Sequence, residues 1–254
     1  MKSIKNKVVL VTGGASGIGR AVAIKAAEEG AKVTLADVDE GRGKEVVNAI
    51  RKNGKEAHFF KVDLSDPAQC EKLLEDVVEL HGVLHFLCNS VGKQTYGTAE
   101  TTTIDMWHQA LDVNLHALFY TSKYAIPVIR DSGGGAVVQI SSVQGLACQE
   151  NVLAYATSKG AVIAMTRALA MDHAKEGIVI NCICPGSIDT PLLREGAAAH
   201  GPVEEVLRQW GASHPIGRIG TPAEVAEAVL FLWTSGFIAG QSLVIDGGLI
   251  SKIL

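Results

Sequence analysis

The sequence predicts an α/β fold, a doubly wound sheet of about seven parallel strands with helices on both faces. Short apolar runs alternate with longer amphipathic segments along the whole chain. The runs are apolar on both sides, as in parallel sheets that helices cover on both faces. No linker rich in proline, serine or glycine interrupts this alternation. We therefore expect residues 1–254 to form one domain.

The predicted strands and helices follow one another in a regular order. In chain order, the strand-like runs are KVVLVTGG, AKVTLAD, AHFFKVDL, VLHFLCNS, GAVVQISS, IVINCICPG and SLVIDGG. Helical segments such as GIGRAVAIKAAEEG and DPAQCEKLLEDVVELHG connect them, and each ends at a glycine that suits a helix C-cap. This repetition of strand, helix and strand is typical of a Rossmann-type sheet.

Composition and charge argue against several kinds of partner. The net charge is -4 and there is no run of lysines or arginines, so neither nucleic acid nor a membrane surface is expected. Arg167, Asp172 and Gln241 interrupt apolar stretches before the roughly 18 residues that a spanning helix needs. The five cysteines form no CxxC and the histidines no HExxH, so no metal site is predicted. The odd number of cysteines and the lack of a secretion signal favour a cytoplasmic location.

Two predicted helices are apolar over more than one stripe. They lie in the segments WHQALDVNLHALFYTSKYAIPVI and YATSKGAVIAMTRALAMDHA. One side of such a helix can face the sheet, but the other side needs a partner. We therefore expect a homotetramer or a homodimer built on these helices.

A glycine-rich turn, TGGASGIG, joins the first predicted strand to the first helix. Gly13, Gly17 and Gly19 let the backbone approach a pyrophosphate, whose charge the helix N-terminus stabilises. The second strand ends in Asp37, which could bind both hydroxyls of an adenosine ribose and would repel a 2′-phosphate. A purely structural turn is the alternative for each feature. Their positions favour a dinucleotide site that prefers NAD to NADP.

Further polar residues end the next strands. Asp63 ends the third predicted strand and Asn89 the fourth, at the carboxyl edge where ligands bind such sheets. Asp63 could accept a hydrogen bond from an adenine amino group. Either residue could equally be a strand-end turn residue.

The stretch YATSK places Tyr155 and Lys159 four residues apart, so that on a helix they would be neighbours on one face. A free tyrosine titrates near pH 10, so it is too weak a base at neutral pH unless its phenolate is stabilised. A neighbouring ammonium could stabilise it. The fifth strand ends in Ser141 and Ser142, shortly before this helix. The pair is thus either a surface contact or a device for proton transfer.

Together these residues resemble the short-chain dehydrogenase/reductase family over nearly the whole chain. TGGASGIG, Asp63, Asn114 in DVNLHALF, Ser142, YATSK and CICPGSIDTP follow the family's usual order and spacing. The resemblance implies an oxidoreductase that transfers a hydride between NAD and a secondary alcohol or ketone. One departure is NSVG, where the family usually has NNAG. It leaves Asn89 and Gly92 in place.

The resemblance also implies a role for each site residue. Tyr155 would be the general acid and base, and Lys159 would stabilise its phenolate and bind the nicotinamide ribose. Ser142 would hold the substrate oxygen, and Asn114 would position a water near Lys159. Residues assigned to cofactor binding are Gly13, Ser16, Gly17, Ile18, Gly19, Asp37, Asp63, Leu64, Asn89, Gly92, Tyr155, Lys159, Pro185, Gly186, Ile188 and Thr190. The segment 190–214 is expected to be a lid over the substrate.

Polar residues near the expected pocket favour a polyol or an aldose as substrate. Candidate substrate contacts are Gln94, Gln144, Gln149, Asn151 and Leu192. An NADPH-dependent 3-oxoacyl (carrier protein) reductase and a cyclic or steroid alcohol dehydrogenase are the alternatives. A non-catalytic dinucleotide sensor is a more distant one.

Overall fold

The computed structural model describes residues 3–252 and places their strands in one parallel sheet of seven, in the order β3-β2-β1-β4-β5-β6-β7. The strands are β1 (Val8–Thr12), β2 (Lys32–Asp37), β3 (Ala57–Lys61), β4 (Phe86–Asn89), β5 (Gly135–Ile140), β6 (Ile178–Pro185) and β7 (Ser242–Ile245). The helices are α1 (Gly17–Glu28), α2 (Glu40–Lys52), α3 (Pro67–His81), α4 (Ile104–Leu111), α5 (Ala117–Asp131), α6 (Leu153–His173), α7 (Pro191–Ala198), α8 (Val203–Ser213) and α9 (Pro222–Thr234). The predicted α/β fold is confirmed.

The order of the strands determines where a ligand can bind. Strand β1 pairs with β2 on one side and with β4 on the other. The connections reverse direction across the sheet at this point, and a crevice opens beyond the carboxyl ends of the strands. The glycine-rich turn leaves β1 at this crevice. The extent predicted for the domain includes residues 1, 2, 253 and 254, which lie outside the described residues, and it stays a prediction.

Side chains alternate between the two faces of the sheet along each strand, and helices cover both faces. Val9 and Val11 belong to a core cluster that includes Val22 of α1 and Trp233 of α9. Val8, Leu10 and their neighbours pack on the other face against α3, α5 and α6. This arrangement explains why each strand reads as an apolar run rather than as an alternating one.

The two helices with broad apolar surfaces, α5 and α6, carry exposed apolar side chains. Phe119 of α5 is 45% exposed and Met171 of α6 is 68% exposed. The predicted homotetramer or homodimer stays a prediction. Among residues 3–252, no helix is long and apolar enough to span a membrane.

Candidate active site

Two adjoining cavities lie at the carboxyl edge of the sheet. The first, about 370 Å³, extends from Gly13 to Thr190, and we refer to it as the glycine-loop cavity. The second, about 380 Å³, is lined by Trp210 and His214 among others, and we refer to it as the lid cavity. Residues that line both are Gln94, Tyr96, Ser142, Tyr155, Gly186 and Leu193. Three residues of the predicted catalytic and substrate sets therefore lie where the cavities meet.

The glycine-rich turn packs too closely for side chains. Gly13 has a φ of +64°, and a Cβ there would lie 2.8 Å from the backbone of Ser90. A Cβ on Gly17 would lie 3.2 Å from the methyl group of Thr190, and one on Gly19 would collide with the carbonyl oxygen of Gly13. The turn thus needs glycine for its own conformation as well as for access to a ligand.

The N-terminus of α1 faces the same cavity. Its N-cap residue is Ser16, and within residues 3–252 the hydroxyl of Ser16 makes no capping hydrogen bond. Ser16, Gly17 and Ile18 line the glycine-loop cavity. An uncapped helix N-terminus offers N–H groups and a partial positive charge to a phosphate. These residues therefore fit the pyrophosphate of a dinucleotide.

Asp37 lies at the end of β2, in the wall of the glycine-loop cavity beside Val38. One carboxylate oxygen accepts a 3.0 Å hydrogen bond from the N–H of Ala15, and the other accepts one of 3.0 Å from the N–H of Asp39. These bonds hold the carboxylate in place, and each oxygen retains a lone pair for a ribose hydroxyl. No arginine is among the described residues that line this cavity.

Tyr155 and Lys159 lie one turn apart on α6, as the spacing predicted. Their side chains are buried, and the Lys159 Nζ lies 5.7 Å from the centre of the Tyr155 ring. The ammonium donates a 3.0 Å hydrogen bond to the carbonyl oxygen of Ile140. Ser142 follows β5, and its hydroxyl accepts a hydrogen bond from the N–H of Gln144 at 3.1 Å. The structure therefore brings Ser142, Tyr155 and Lys159 together.

Burial shifts the pKa values of Tyr155 and Lys159 in the directions that favour their neutral forms. It raises the pKa of Tyr155, and a hydrogen bond with the Ser142 hydroxyl only partly offsets this rise. Burial also lowers the pKa of Lys159 to about 8. The sequence led us to expect that Lys159 would lower the pKa of Tyr155. In this structure burial raises the pKa of Tyr155, the Ser142 hydroxyl lowers it in part, and Lys159 is not among the groups that shift it.

Asn114 lies in a π-helical turn, Asp112–His116, between α4 and α5. Its Oδ1 accepts a 2.7 Å hydrogen bond from the N–H of Lys93, and its Nδ2 donates to the carbonyl oxygen of Lys93 at 2.9 Å. Nδ2 also donates to the Ser158 hydroxyl at 3.1 Å. The side chain thus joins the loop after β4 to α6. Its role in positioning a water stays a prediction.

Some predicted site residues do not line either cavity: Gly19, Asp63, Leu64, Asn89, Asn114 and Asn151. The fully buried Asn89 accepts hydrogen bonds from the hydroxyls of Thr12 at 3.1 Å and Thr121 at 2.8 Å, so its side chain joins β1, β4 and α5. Asp63 is exposed, and its carboxylate accepts a 2.6 Å hydrogen bond from the Ser65 hydroxyl. The remaining predicted cofactor contacts line the glycine-loop cavity: Gly13, Ser16, Gly17, Ile18, Asp37, Gly92, Tyr155, Lys159, Pro185, Gly186, Ile188 and Thr190.

The predicted substrate contacts fall into three groups. Gln94, Gln144 and Gln149 line the lid cavity. Leu192 lines the glycine-loop cavity. Asn151 lies in a neighbouring groove and has a φ of +61°. Although Asn151 is close to Tyr155 in sequence, it does not line the lid cavity.

Several lining residues of the lid cavity were not named as substrate contacts from the sequence: Tyr96, Val143, Cys148, Trp210, His214, Leu249 and Ile250. His214 is buried, its Nε2 accepts from the N–H of Ser187 at 3.3 Å, and its Nδ1 is 2.8 Å from the carbonyl oxygen of Trp210. Trp210 lies inside the predicted lid segment. A single aromatic residue in an amphipathic helix gives no signal that it faces a ligand rather than a core.

The predicted lid segment 190–214 forms α7 and α8. Thr190 caps α7, and Arg194 forms ion pairs with Asp189 at 2.6 Å and with Glu204 at 2.7 Å. The two helices pack on each other through Ala197, Val206 and Leu207. The segment covers the lid cavity from one side, and its mobility stays a prediction.

The chain is similar to known proteins over nearly its whole length. Residues 13–250 match the family model described as enoyl-(acyl carrier protein) reductase. Cyclohexanol dehydrogenase of Acinetobacter sp. (strain SE19) is 36% identical over 97% of this chain and 96% of that protein. L-fucose dehydrogenase of Bos taurus is 36% identical over 95% of this chain and 88% of that protein. The structure of aldohexose dehydrogenase from Thermoplasma acidophilum superposes with a TM-score of 0.90 at 37% identity, covering 98% of this chain and 96% of that one.

Proposed function

Since the chain belongs to the short-chain dehydrogenase/reductase family, we propose that it uses NAD to oxidise a polyol or an aldose, with Tyr155 as general acid and base. Its relatives are dehydrogenases that act on alcohol groups. The observation that carries the proposal is the position of Tyr155 and Ser142, which line both cavities. A group between a cofactor and a substrate is the one that can exchange a proton during hydride transfer.

The glycine-loop cavity supports a nicotinamide dinucleotide as the cofactor. The close turn at Gly13 and the uncapped N-terminus of α1 would hold its pyrophosphate. Ile188 and Thr190 would contact the nicotinamide end. When bound, the nicotinamide supplies the acceptor for the substrate hydride.

We favour NAD over NADP because of the charge around Asp37. This carboxylate would accept hydrogen bonds from ribose hydroxyls and repel a 2′-phosphate. Val38 beside it carries no charge, and no arginine lies among the described lining residues to offset the repulsion. A 2′-phosphate would therefore face the Asp37 carboxylate with no arginine in the described part of the cavity wall to offset the repulsion.

The proton chemistry would run through three side chains. Ser142 would donate a hydrogen bond to the substrate oxygen and stabilise the charge that develops there. Tyr155 would take the alcohol proton in oxidation and return it in reduction. Lys159 would favour the phenolate by its charge. Because its pKa is about 8, it is mostly an ammonium at neutral pH.

The lid cavity supports a ring-shaped substrate that carries several hydroxyl groups. Gln94, Gln144 and Gln149 offer amide donors and acceptors. Trp210 and Leu193 provide apolar walls for the carbon face of a ring. A pyranose or a cyclic polyol presents both kinds of surface. Two of the relatives are named for L-fucose and for cyclohexanol. Cyclohexanol and the pyranose form of L-fucose both contain a six-atom ring.

A cyclic alcohol without further hydroxyl groups is the second candidate. The apolar residues Leu193, Trp210, Leu249 and Ile250 all line the lid cavity. The similarity to a cyclohexanol dehydrogenase also favours it. Such a substrate would leave the three glutamines without partners among its own atoms, which is why we rank it second.

The proposal is tested by following the reduced cofactor when the protein meets L-fucose, D-glucose, myo-inositol and cyclohexanol, with NAD and NADP in separate assays. We expect turnover of a sugar or polyol with NAD, and none with the Tyr155→Phe variant. Turnover of cyclohexanol alone would favour the second candidate. Preferential oxidation of NADPH with a 3-oxoacyl thioester would contradict the proposal. Binding of NAD without any turnover would favour a sensor.

We also propose that the protein is a cytoplasmic homotetramer or homodimer. The exposed apolar residues Phe119 of α5 and Met171 of α6 support a partner on these helices. Sedimentation equilibrium should give the mass of a dimer or tetramer, and a monomer at all concentrations would contradict this.

A further inference from the structure

Three side chains that the proposed reaction does not use converge at the edge of the sheet opposite to the two cavities. Glu56 precedes β3, His58 lies within β3, and His81 is the last residue of α3. The cavities lie beyond the carboxyl ends of the strands, whereas this cluster lies at the amino end of the outermost strand. It is therefore separate from the proposed active site.

The spacing of the three side chains suits a metal ion. One ligand atom from each lies within 4.8 Å of the other two. Glu56 Oε1 is 3.7 Å from His81 Nδ1 and 3.8 Å from His58 Nε2. In a tetrahedral zinc site with bonds of about 2.1 Å, neighbouring ligand atoms lie about 3.4 Å apart. Small side-chain rotations would close that difference.

Neighbouring side chains hold the cluster in a suitable orientation. His81 Nε2 lies 3.0 Å from the hydroxyl of the buried Thr34. If Nε2–H donates to this hydroxyl, Nδ1 keeps a free lone pair directed at Glu56, as in metal sites where the second ring nitrogen is hydrogen-bonded. Lys32 Nζ binds Glu56 Oε2 at 3.1 Å. Oε1 therefore remains for the histidines.

An ordinary ion pair between Glu56 and the histidines would require protonated rings. Burial lowers the pKa of both His58 and His81, and the positive charges of Arg51 and Lys32 act in the same direction at His58. The attraction of Glu56 offsets this only in part. A neutral imidazole keeps one ring nitrogen with a free lone pair, so each histidine can offer a ligand atom beside the Glu56 carboxylate.

We propose that Glu56, His58 and His81 bind a divalent first-row transition ion, with Zn²⁺ as the representative. Two imidazoles and a carboxylate are a common ligand set for Zn²⁺. The His81 side chain is 2% exposed, whereas those of His58 and Glu56 are 30% and 42% exposed. Solvent can therefore supply a fourth ligand. The ion would fasten the edge strand β3 to the end of α3.

The proposal is tested by calorimetric titration of tag-free, chelator-treated protein with Zn²⁺, together with a thermal unfolding scan. The wild type should bind one equivalent, and its melting temperature should rise with Zn²⁺ because the ion binds only the folded state. His58→Ala and Glu56→Gln should each weaken binding by about tenfold or more. Both residues are partly exposed and far from the cavities, so turnover should stay unchanged.

A matched control is His173→Ala. His173 also lies beside a glutamate, with its Nδ1 2.8 Å from Glu176 Oε2, but outside the three-ligand cluster. This variant should bind Zn²⁺ like the wild type. Binding by the wild type that survives in both His58→Ala and Glu56→Gln would overturn the proposal, and so would wild-type protein without saturable binding. A titration with Co²⁺ adds a check, since thiolate coordination would produce an ultraviolet charge-transfer band that this site should lack.

Discussion

The glycine-loop cavity and the lid cavity share Tyr155 and Ser142, but the chain builds them in different ways. The walls of the first come mainly from the ends of strands β1, β2, β4, β5 and β6, and close backbone packing at Gly13 and Gly17 shapes them. The walls of the second come from side chains of the loop after β5, from α8 and from residues 249–250. The first cavity is thus determined by the backbone and the second by side chains. We expect the first to tolerate little change and the second to set specificity.

The largest expected effect comes from the group that both cavities share. Tyr155→Phe removes the hydroxyl and keeps the buried ring. General acid and base catalysis typically increases the rate by a factor of roughly 10² to 10⁴. We therefore expect kcat to fall by about a thousandfold. The dissociation constant for NAD, measured by fluorescence titration, should stay within about twofold, since the variant keeps the ring of residue 155 and the rest of the glycine-loop cavity. A variant that keeps a tenth of its turnover would mean that another group transfers the proton.

The next effect concerns the glycine-loop cavity alone. The double variant Asp37→Ala/Val38→Arg removes the carboxylate and places a cation in the same wall. Since a hydrogen bond to a charged group is worth about 1.5–3 kcal/mol, the ratio of kcat/KM for NAD to that for NADP should fall by about a hundredfold. The KM for the alcohol should change little, because neither residue lines the lid cavity.

Asp37→Ala alone is the control for this swap. It should weaken the binding of NAD without creating a comparable site for NADP. In the wild type the Asp37 carboxylate also accepts hydrogen bonds from Ala15 and Asp39, so the melting temperature of each variant must be measured. An unchanged preference in a folded double variant would show that Asp37 does not select the cofactor.

Lys159 lines the glycine-loop cavity, and its buried charge should lower the stability of the fold. Its pKa falls from 10.5 to about 8 because the ammonium is buried. Each pKa unit corresponds to about 1.4 kcal/mol, so the buried charge costs about 3 kcal/mol at pH 7. Lys159→Met removes this cost but leaves the Ile140 carbonyl without its hydrogen bond, a loss of about 1 kcal/mol. The variant should be inactive and yet more stable by about 2 kcal/mol.

The pH dependence of the free energy of unfolding tests the cost of burying the Lys159 ammonium. Between pH 8 and 10.5, the unfolded wild type retains the lysine proton that the folded state has lost, so this contribution increases wild-type stability as pH rises. The difference in free energy of unfolding between Lys159→Met and the wild type should therefore shrink over that range, as measured by urea unfolding. A difference that is constant with pH would mean that the ammonium is not destabilising.

The same contrast explains how much could be predicted from the sequence. The strands, the turn at Gly13 and the pair Tyr155 and Lys159 depend on local spacing, which the sequence displays directly. The lid cavity depends on which side chains meet after folding. Trp210 and His214 lie inside the segment predicted to be a lid, but nothing in their local pattern shows that these two side chains form a cavity wall rather than a core. The cluster of Glu56, His58 and His81 could not be seen in the sequence for the same reason, since His81 lies on α3 and the other two at β3.

The smallest expected effects separate the lid cavity from the groove next to it. Gln94 lines the cavity and Asn151 lines the groove, although both were predicted to contact the substrate. Gln94→Leu keeps a similar volume and removes one hydrogen-bonding amide, worth about 1 kcal/mol, so KM for a sugar should rise by about five- to tenfold. KM for cyclohexanol should hardly change, since its single hydroxyl would be bound at Ser142.

Asn151→Gly is the matched comparison for Gln94→Leu. Glycine adopts the φ of +61° found at Asn151 without strain, so the loop should keep its shape while the amide is lost. KM should stay within about twofold, because the position does not line the lid cavity. If Asn151→Gly raised KM as much as Gln94→Leu did, the groove would belong to the substrate site. The boundary between backbone-shaped and side-chain-shaped regions would then have to be drawn farther from Tyr155.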